Sequence, residues 1–456
     1  LLRTIPQSAI KKLGWTTITY GIVQAIRLFT NVVLARLLAP QLFGLMVIVN
    51  TIRTGVALLS DIGINQNIVS NPKGDTPDFL DTAWTLQVIR GVFLGTVCFL
   101  LSSAAAQFFR APELRYILPV AAMFFLFGGF FSTGHSLLQK RMEIKRLSYF
   151  EIGDATLSLV VHVVLALITP TIWALILGSA IMAAFSMLLS FQMVPGLRHR
   201  VLIHRESARE LIHFGKWILF SSLIWFASMN FDRLYLAREI PLALLGVFGI
   251  ARTLADTVTQ VAGRGGSLLI FPMVSAMQAD GADVRRRLRQ SRRTLLLLAA
   301  PGLALFLSLS DLVIRLLYDH RYQEAGVLLP ILLLGVWFAI LSTVNESILL
   351  GLRKPATTAF ANLAKLLVYI VGVPIAFHAY GIVGAVAFFS LGEVAKYATL
   401  WIIGRRQHVG FIRDDVLLTG LFLLAAVLFR EVAHVIGLTG TIAELFPWVR
   451  LPGALS

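Results

Sequence analysis

The stretch RLFTNVVLARLLAPQLFGLMVI, Arg27 to Ile48, holds two apolar helical runs that meet at an Ala39-Pro40 break. Proline opens a helix readily but does not continue one, so the second run starts afresh at Pro40. Arg27 lies inside the first run and Arg36 closes it. A related phrase, DRLYLAREIPLALLGVFGI, occupies Asp232 to Ile250. Displacing the sequence by 202 positions, the separation of Arg36 and Arg238, brings Trp15 onto Trp217 and Phe29 onto Phe231. The same shift lays Leu34-Ala35-Arg36 on Leu236-Ala237-Arg238, and Gly44, Ile48 and Thr51 on Gly246, Ile250 and Thr253, without a gap. The chain therefore repeats itself, and the offset spans about six apolar runs. An even number of crossings sends both halves into a membrane from the same face, which makes these parallel repeats.

Composition agrees with a membrane chain. Of 456 residues, 57% are hydrophobic and 14% charged, and the mean hydropathy is +0.79. Soluble domains carry about 25% charged residues. Apolar runs long enough to span a bilayer fall at 13–37, 42–69, 80–104, 115–138, 148–168, 171–194, 211–236, 242–275, 294–310, 325–350, 357–378, 381–403 and 415–436. A fourteenth run at 437–451 is interrupted by Glu444 and Pro447. The expected fold is an all-α polytopic membrane protein: two parallel-repeat six-helix lobes around a central cavity, plus one or two C-terminal helices. The expected divisions are 1–205, 206–405 and 406–456. No strand alternation of the kind a β-barrel needs is present.

Basic residues sit in the links, which explains the net charge of +16 without nucleic acid. Counting alternate links places roughly 24 lysines and arginines on the side of the N-terminus against 7 on the other, so the N-terminus is expected in the cytoplasm. The run RRRLRQSRR (285–293) reads as a cytoplasmic anchor resting on anionic lipid. The opposite side, with Arg36, Arg238 and Arg430 among its charges, has only short links, too small for an extramembrane acceptor domain. The first apolar run reads as an anchor and not as a cleaved signal, and the opening on Leu1 is consistent with a few native residues preceding it. The single cysteine, Cys98, excludes a disulfide framework and a thiolate metal site.

Polar residues inside the runs carry the functional signal. A charge at mid-membrane costs at least about 2.5–3.5 kcal/mol and so faces a cavity or a partner. Tyr20, Gln24, Arg27 and Asn31 form one stripe at helical spacing. Asn50, Arg53 or Thr54, Asp61 and Asn65 form a second; Ser221, Trp225, Ser228 and Asp232 a third; Arg252, Asp256, Gln260 and Arg264 a fourth. These are the first two helices of each lobe, so the stripes are expected to line one cavity between the lobes. Further stripes run through Glu151, Asp154, Ser158 and His162, and through Thr358, Asn362, Lys365 and Tyr369; with Glu393 and Lys396, some of these are expected to pair and fix helix packing. Arg27, Arg53 and Arg252 make the cavity basic, and guanidinium forks suit phosphate oxygens. Arg36 and Arg238 read as structural, at helix C-termini where a cation is favoured. No Gly-rich nucleotide loop, kinase signature, nucleophile elbow or other catalytic constellation is present, so no enzyme activity, cofactor or metal is expected.

Three phrases, NVVLARLLAPQLFGLMVI, LLSDIGINQNIVSNPKGDTPDFLDTAWTLQVIRG and LLQKRMEIKRLSYFEIGD, resemble the polysaccharide transporters of the Wzx flippase type, in the multidrug/oligosaccharidyl-lipid/polysaccharide (MOP) exporter superfamily. The resemblance is densest over 15–155 and recurs at 211–260. It implies a flippase that moves an oligosaccharide on undecaprenyl pyrophosphate across the bacterial inner membrane, by alternating access, for O-antigen, capsule or exopolysaccharide assembly. It also implies membrane lipid as surroundings, and polysaccharide polymerase and assembly proteins as candidate partners. In the related lipid II flippases, central arginines lie on the first, second and eighth helices, which here hold Arg27, Arg53 and Arg252. Alternatives remain open: an ion-coupled drug exporter of the same superfamily, a lipid II flippase, and a membrane glycosyltransferase or polymerase. A major facilitator would need G-x-x-x-D-R-x-G-R-R where SNPKGDTPDF stands. The coupling ion, proton or sodium, stays undecided.

Overall fold

A computed structural model describes residues 7–58, 63–265, 284–352, 354, 356–407 and 409–446, with side chains described except at 7–13, 212–221, 264–265 and 284–287. Every regular element described is helical. Nine helices among the described residues are long and apolar enough to cross a membrane, or eleven if each of two bent pairs counts as one span. The chain divides into two compact units, Leu1–Phe226 with Ala237–Ala243, and Ala227–Leu236 with Leu244–Ser456.

The repeat is visible in the helix ends. Helix α1 (Gln7–Leu37) stops and α2 (Pro40–Leu58) begins, just as α10 (Arg205–Glu239) stops and α11 (Leu242–Gly265) begins 202 positions later. Gly44 is required at the first of these turns: a Cβ there would lie 2.0 Å from the Leu242 carbonyl oxygen, a backbone atom that has no rotamer to escape into. Gly44→Ala is expected to destabilise the protein by about 1–3 kcal/mol, as overpacking does, and thermal unfolding in detergent will show it.

In the first unit α1 lies along α8 (Ile144–Ile168), joined by Thr19 Oγ1 donating to Ser148 Oγ at 2.9 Å. α8 is joined to α9 (Ile172–Ser190) by Ser186 donating to Asp154 and by His162 against Ser179 at 3.3 Å. The expected second helix, 42–69, is not continuous: α2 ends at Leu58, and Gly63, with φ 59°, precedes a separate α3 (Ile64–Ser70). The left-handed φ changes the chain direction, so Asn65 leaves the stripe of Asn50 and Arg53 and accepts from Ser136 Oγ at 2.8 Å. Asp61 lies outside the described residues.

The fourth span is broken as well. α5 (Leu114–Ala121) and α6 (Met123–Phe130) lead to α7 (Gly134–Lys140) through a 53° bend. A bend inside a membrane frees backbone carbonyls that lipid cannot satisfy. One helix, α4 (Pro77–Phe108), answers them. Gln87 Nε2 donates to the carbonyls of Gly128, Gly129 and Phe131 at 3.0, 3.3 and 2.9 Å, and Trp84 Nε1 to that of Phe130 at 3.3 Å. Gly91 permits the approach, since a Cβ there would meet Gly129 Cα at 2.7 Å.

The link between α9 and α10 lies extended along the same helix. The N–H groups of Arg200, Leu202 and His204 donate to Asp81 Oδ1, Thr85 Oγ1 and Thr82 Oγ1 at 3.1, 3.0 and 3.0 Å. His199 stacks on Trp84 with ring centroids 5.3 Å apart and meets Ser132 Oγ at 2.8 Å. Burial holds this imidazole below its ordinary pKa of 6.5, with Asp81 opposing. The unfolded chain then binds the proton more readily, so stability falls as pH drops through about 6.5. Thermal unfolding between neutral and mildly acidic pH is expected to show this slope, and His199→Gln to flatten it.

In the second unit, α14 (Ala325–Gly351) packs on α15 (Ala356–Arg406), a 51-residue stretch that folds back at Tyr380–Gly381. Gly381 has φ 59° and ψ −151°, a conformation that needs glycine. Contacts across the turn define an antiparallel hairpin: a Cβ on Gly372 would meet the Phe388 ring, one on Gly384 would meet the Ala376 carbonyl, and Tyr369 Oη donates to the Phe389 carbonyl at 3.0 Å. The two expected helices 357–378 and 381–403 are its arms. α12 (Val284–Ser308) and α13 (Ser310–Leu317) are bent by 61° and pack with α16 (Ile412–Val435).

The structure adds partners to charges read from the sequence. Arg289 and Arg292 of the basic run pair with Asp414 and Asp415 at 2.5 Å each, and Arg292 is 1% exposed. Arg430 is not a loop charge; it is 1% exposed and donates to Asp311 Oδ1 at 2.7 Å and the Ser308 carbonyl at 2.9 Å. After Val435 the described residues form only a four-residue helix, α17 (Ile442–Leu445), so the fourteenth span is not found among them.

Candidate functional site

Arg27 lies near the middle of α1 and is exposed, and no hydrogen bond or ion pair reaches it among the described residues. Tyr20, Gln24 and Asn31 on the same helix are half-buried. Arg53 lies in the second half of α2, with Asn50 exposed one turn before it. Its guanidinium carbon stands 3.7 Å from the centroid of the Phe124 ring. Val120, Ile176 and Ser179 line the same small cleft. A ring face orients a guanidinium without cancelling its charge. The first unit thus presents two arginines that no carboxylate neutralises among the described residues.

The second unit differs. Arg252 on α11 meets Asp232 of α10 at 3.0 Å and Asp256, one turn on, at 3.1 Å. Arg233 meets the other oxygen of Asp256 at 2.5 Å and donates to Asn230 Oδ1 at 3.1 Å. Asp232 of the third stripe therefore meets Arg252 of the fourth, and with Arg233 and Asp256 the charges balance, two guanidinium groups against two carboxylates. Lys365, fully buried, pairs with Glu393 at 2.6 Å across the hairpin, and Lys396 with Glu346 at 2.9 Å. Burying such charges is tolerable only because each has an opposite partner. Gln260 is exposed at the end of its stripe, Trp225 on α10 is 46% exposed in the first unit, and the Arg264 side chain lies outside the described residues.

Arg233 was not singled out by its sequence pattern. The repeat held the clue: at the 202 offset, Asn31 and Asn50 correspond to Arg233 and Arg252, while Arg27 and Arg53 correspond to Met229 and Ala255. The two repeats share helix ends and the arginines near them, Arg36 and Arg238, but not the arginines inside the helices. Among the described residues no group of three or more His, Cys, Asp or Glu side chains could hold a metal ion.

Comparison with known proteins adds four observations. Residues 33–327 match the family model described as "Polysaccharide biosynthesis protein". The chain is 22% identical to the lipopolysaccharide biosynthesis protein WzxC of Escherichia coli K12, over 86% of this chain and 80% of that protein. It is 21% identical to the succinoglycan biosynthesis transport protein ExoT of Rhizobium meliloti, over 72% of this chain and 66% of that one. Among solved structures, the inward closed conformation of the lipid II flippase MurJ superposes with a TM-score of 0.76 over 95% of each chain, at 12% identity, a likeness of fold.

Proposed function

This chain belongs to the polysaccharide biosynthesis protein family, polysaccharide transporters of the MOP exporter superfamily, and from that membership we propose that it flips an oligosaccharide carried on undecaprenyl pyrophosphate across a bacterial inner membrane. Arg53 carries the reading. A guanidinium held by a ring and not by a carboxylate keeps its full charge and its fork for an oxyanion. Arg27 offers a second such charge on another helix of the same unit. The arginines bind the pyrophosphate, the polar side chains of the stripes pass the glycan, and the prenyl tail stays in lipid. Alternating access moves the headgroup. The protein then acts as a carrier and makes or breaks no covalent bond.

A cation exporter on the same fold would need a carboxylate free to meet its cargo. In the second unit Asp232, Asp256, Glu346 and Glu393 are each paired with an arginine or lysine, which weighs against a cation site there; in the first unit Asp154 meets only the Ser186 hydroxyl among the described residues. The fold likeness to MurJ keeps lipid II as a second candidate cargo. Mass spectrometry of lipid extracts from a strain lacking the gene separates them. Accumulation of an undecaprenyl-pyrophosphate oligosaccharide, with loss of surface polysaccharide, supports the proposal. Loss of viability points to lipid II, and unchanged lipids with intact surface polymer reject both.

A further inference from the structure

The Asp232–Arg252–Asp256–Arg233 network is graded from closed to open. Asp232 is 2% exposed, Arg252 13%, Arg233 24% and Asp256 30%. Asp232 is the fixed partner: its Oδ1 also accepts from the Arg233 N–H at 2.8 Å. Asp256 stands at the accessible edge and has two arginines to choose from. Both carboxylates approach Arg252 most closely at Nε, one donor of the five that its guanidinium offers. The Arg252 Nε and Asp232 Oδ2 atoms are buried and close but lack hydrogen-bond alignment, so the ion pair is Coulombic and not locked by a directed bond.

From this arrangement we infer that Asp256 is an internal competitor for Arg252: it holds the guanidinium in the absence of cargo, yields it to a pyrophosphate oxygen, and retakes it to release the cargo. The inference rests on the lipid-pyrophosphate reading above. The exchange strands no charge, because Asp256 keeps Arg233 when it leaves Arg252, and Arg252 keeps Asp232. Asp256 is thus a positioning residue that acts through Arg252. A site of this kind binds an anion more weakly than a bare arginine does, but lets it go, which a carrier must do on the far side.

The test is binding of undecaprenyl pyrophosphate to the purified full chain in detergent, with undecaprenyl alcohol as the uncharged control. Asp256→Asn is expected to lower Kd about tenfold while slowing export, since the competitor is gone but release is impaired. Asp256→Glu is expected to bring Kd back towards that of the parent protein. In an Arg252→Ala background the Asn substitution should leave Kd unmoved. Asp256→Ser is measured alongside and decides the matter where the Asn variant does not purify as a single species. An unchanged or raised Kd, or a gain that survives in the Arg252→Ala background, overturns the inference. If the parent protein does not distinguish the pyrophosphate from the alcohol, the cargo reading itself fails, and this inference falls with it.

Discussion

Replacing Arg53 with alanine lowers export of the surface polysaccharide by roughly a hundredfold or more, the loss expected when a charge-assisted contact worth about 3 kcal/mol disappears. The protein itself stays in the membrane at near-normal abundance. The structure explains why the two effects separate. Arg53 leans on the Phe124 ring, so alanine removes a cation–π contact worth about 0.5–2 kcal/mol and strands no buried carboxylate among the described residues. Arg53→Lys keeps the charge but loses the planar fork, and intermediate export is expected. Surface polysaccharide, membrane abundance and lipid-linked intermediates are measured together. Export at the parent rate in Arg53→Ala would remove this residue from the cargo path.

Asp415→Ala produces the largest loss of stability, about 3–5 kcal/mol, because it leaves Arg292 buried without a counter-charge. The two side chains are 1% and 2% exposed and meet at 2.5 Å. Asp415 also accepts from Tyr397 Oη at 2.6 Å, so one substitution unties α12, the second arm of α15 and the start of α16. Trp337 reports on the same region, stacking on Phe422 at 5.0 Å and donating to Thr419 Oγ1 at 2.9 Å. Tryptophan fluorescence during thermal unfolding therefore follows the event. A double variant, Arg292→Met with Asp415→Leu, should recover most of the loss, since an apolar pair of similar volume needs no desolvation of charge. Equal stability of Asp415→Ala and the parent would show that the pair contributes nothing.

The motif that carries the family resemblance turns out to be structural in large part. Asp81, Thr82, Trp84, Thr85, Gln87 and Gly91 of the DTAWTLQVIRG segment hold the bend of the fourth span and the link after α9. Arg90 completes the set by donating to the Ala57 carbonyl at 2.6 Å, near the end of α2. None of this follows from helical spacing, because the groups that these side chains satisfy lie 33 to 122 positions away in the chain.

Membrane class, the places of most helices and the parallel repeat were legible in the residues themselves. Hydropathy and the basic links are local properties, and the 202-residue echo reappears in the matching helix ends at Leu37 and Glu239. The breaks at Gly63 and at Phe131–Thr133 were not legible, since an apolar run reads the same whether its backbone is continuous or bent. Nor was the sign of each site. Polar stripes show that charges must be met, but not by what. Only the tertiary structure decided that Arg252 meets Asp232 of the preceding helix as well as Asp256 one turn along its own, while Arg53 meets a ring, because a partner on another helix is chosen by distance across the packing.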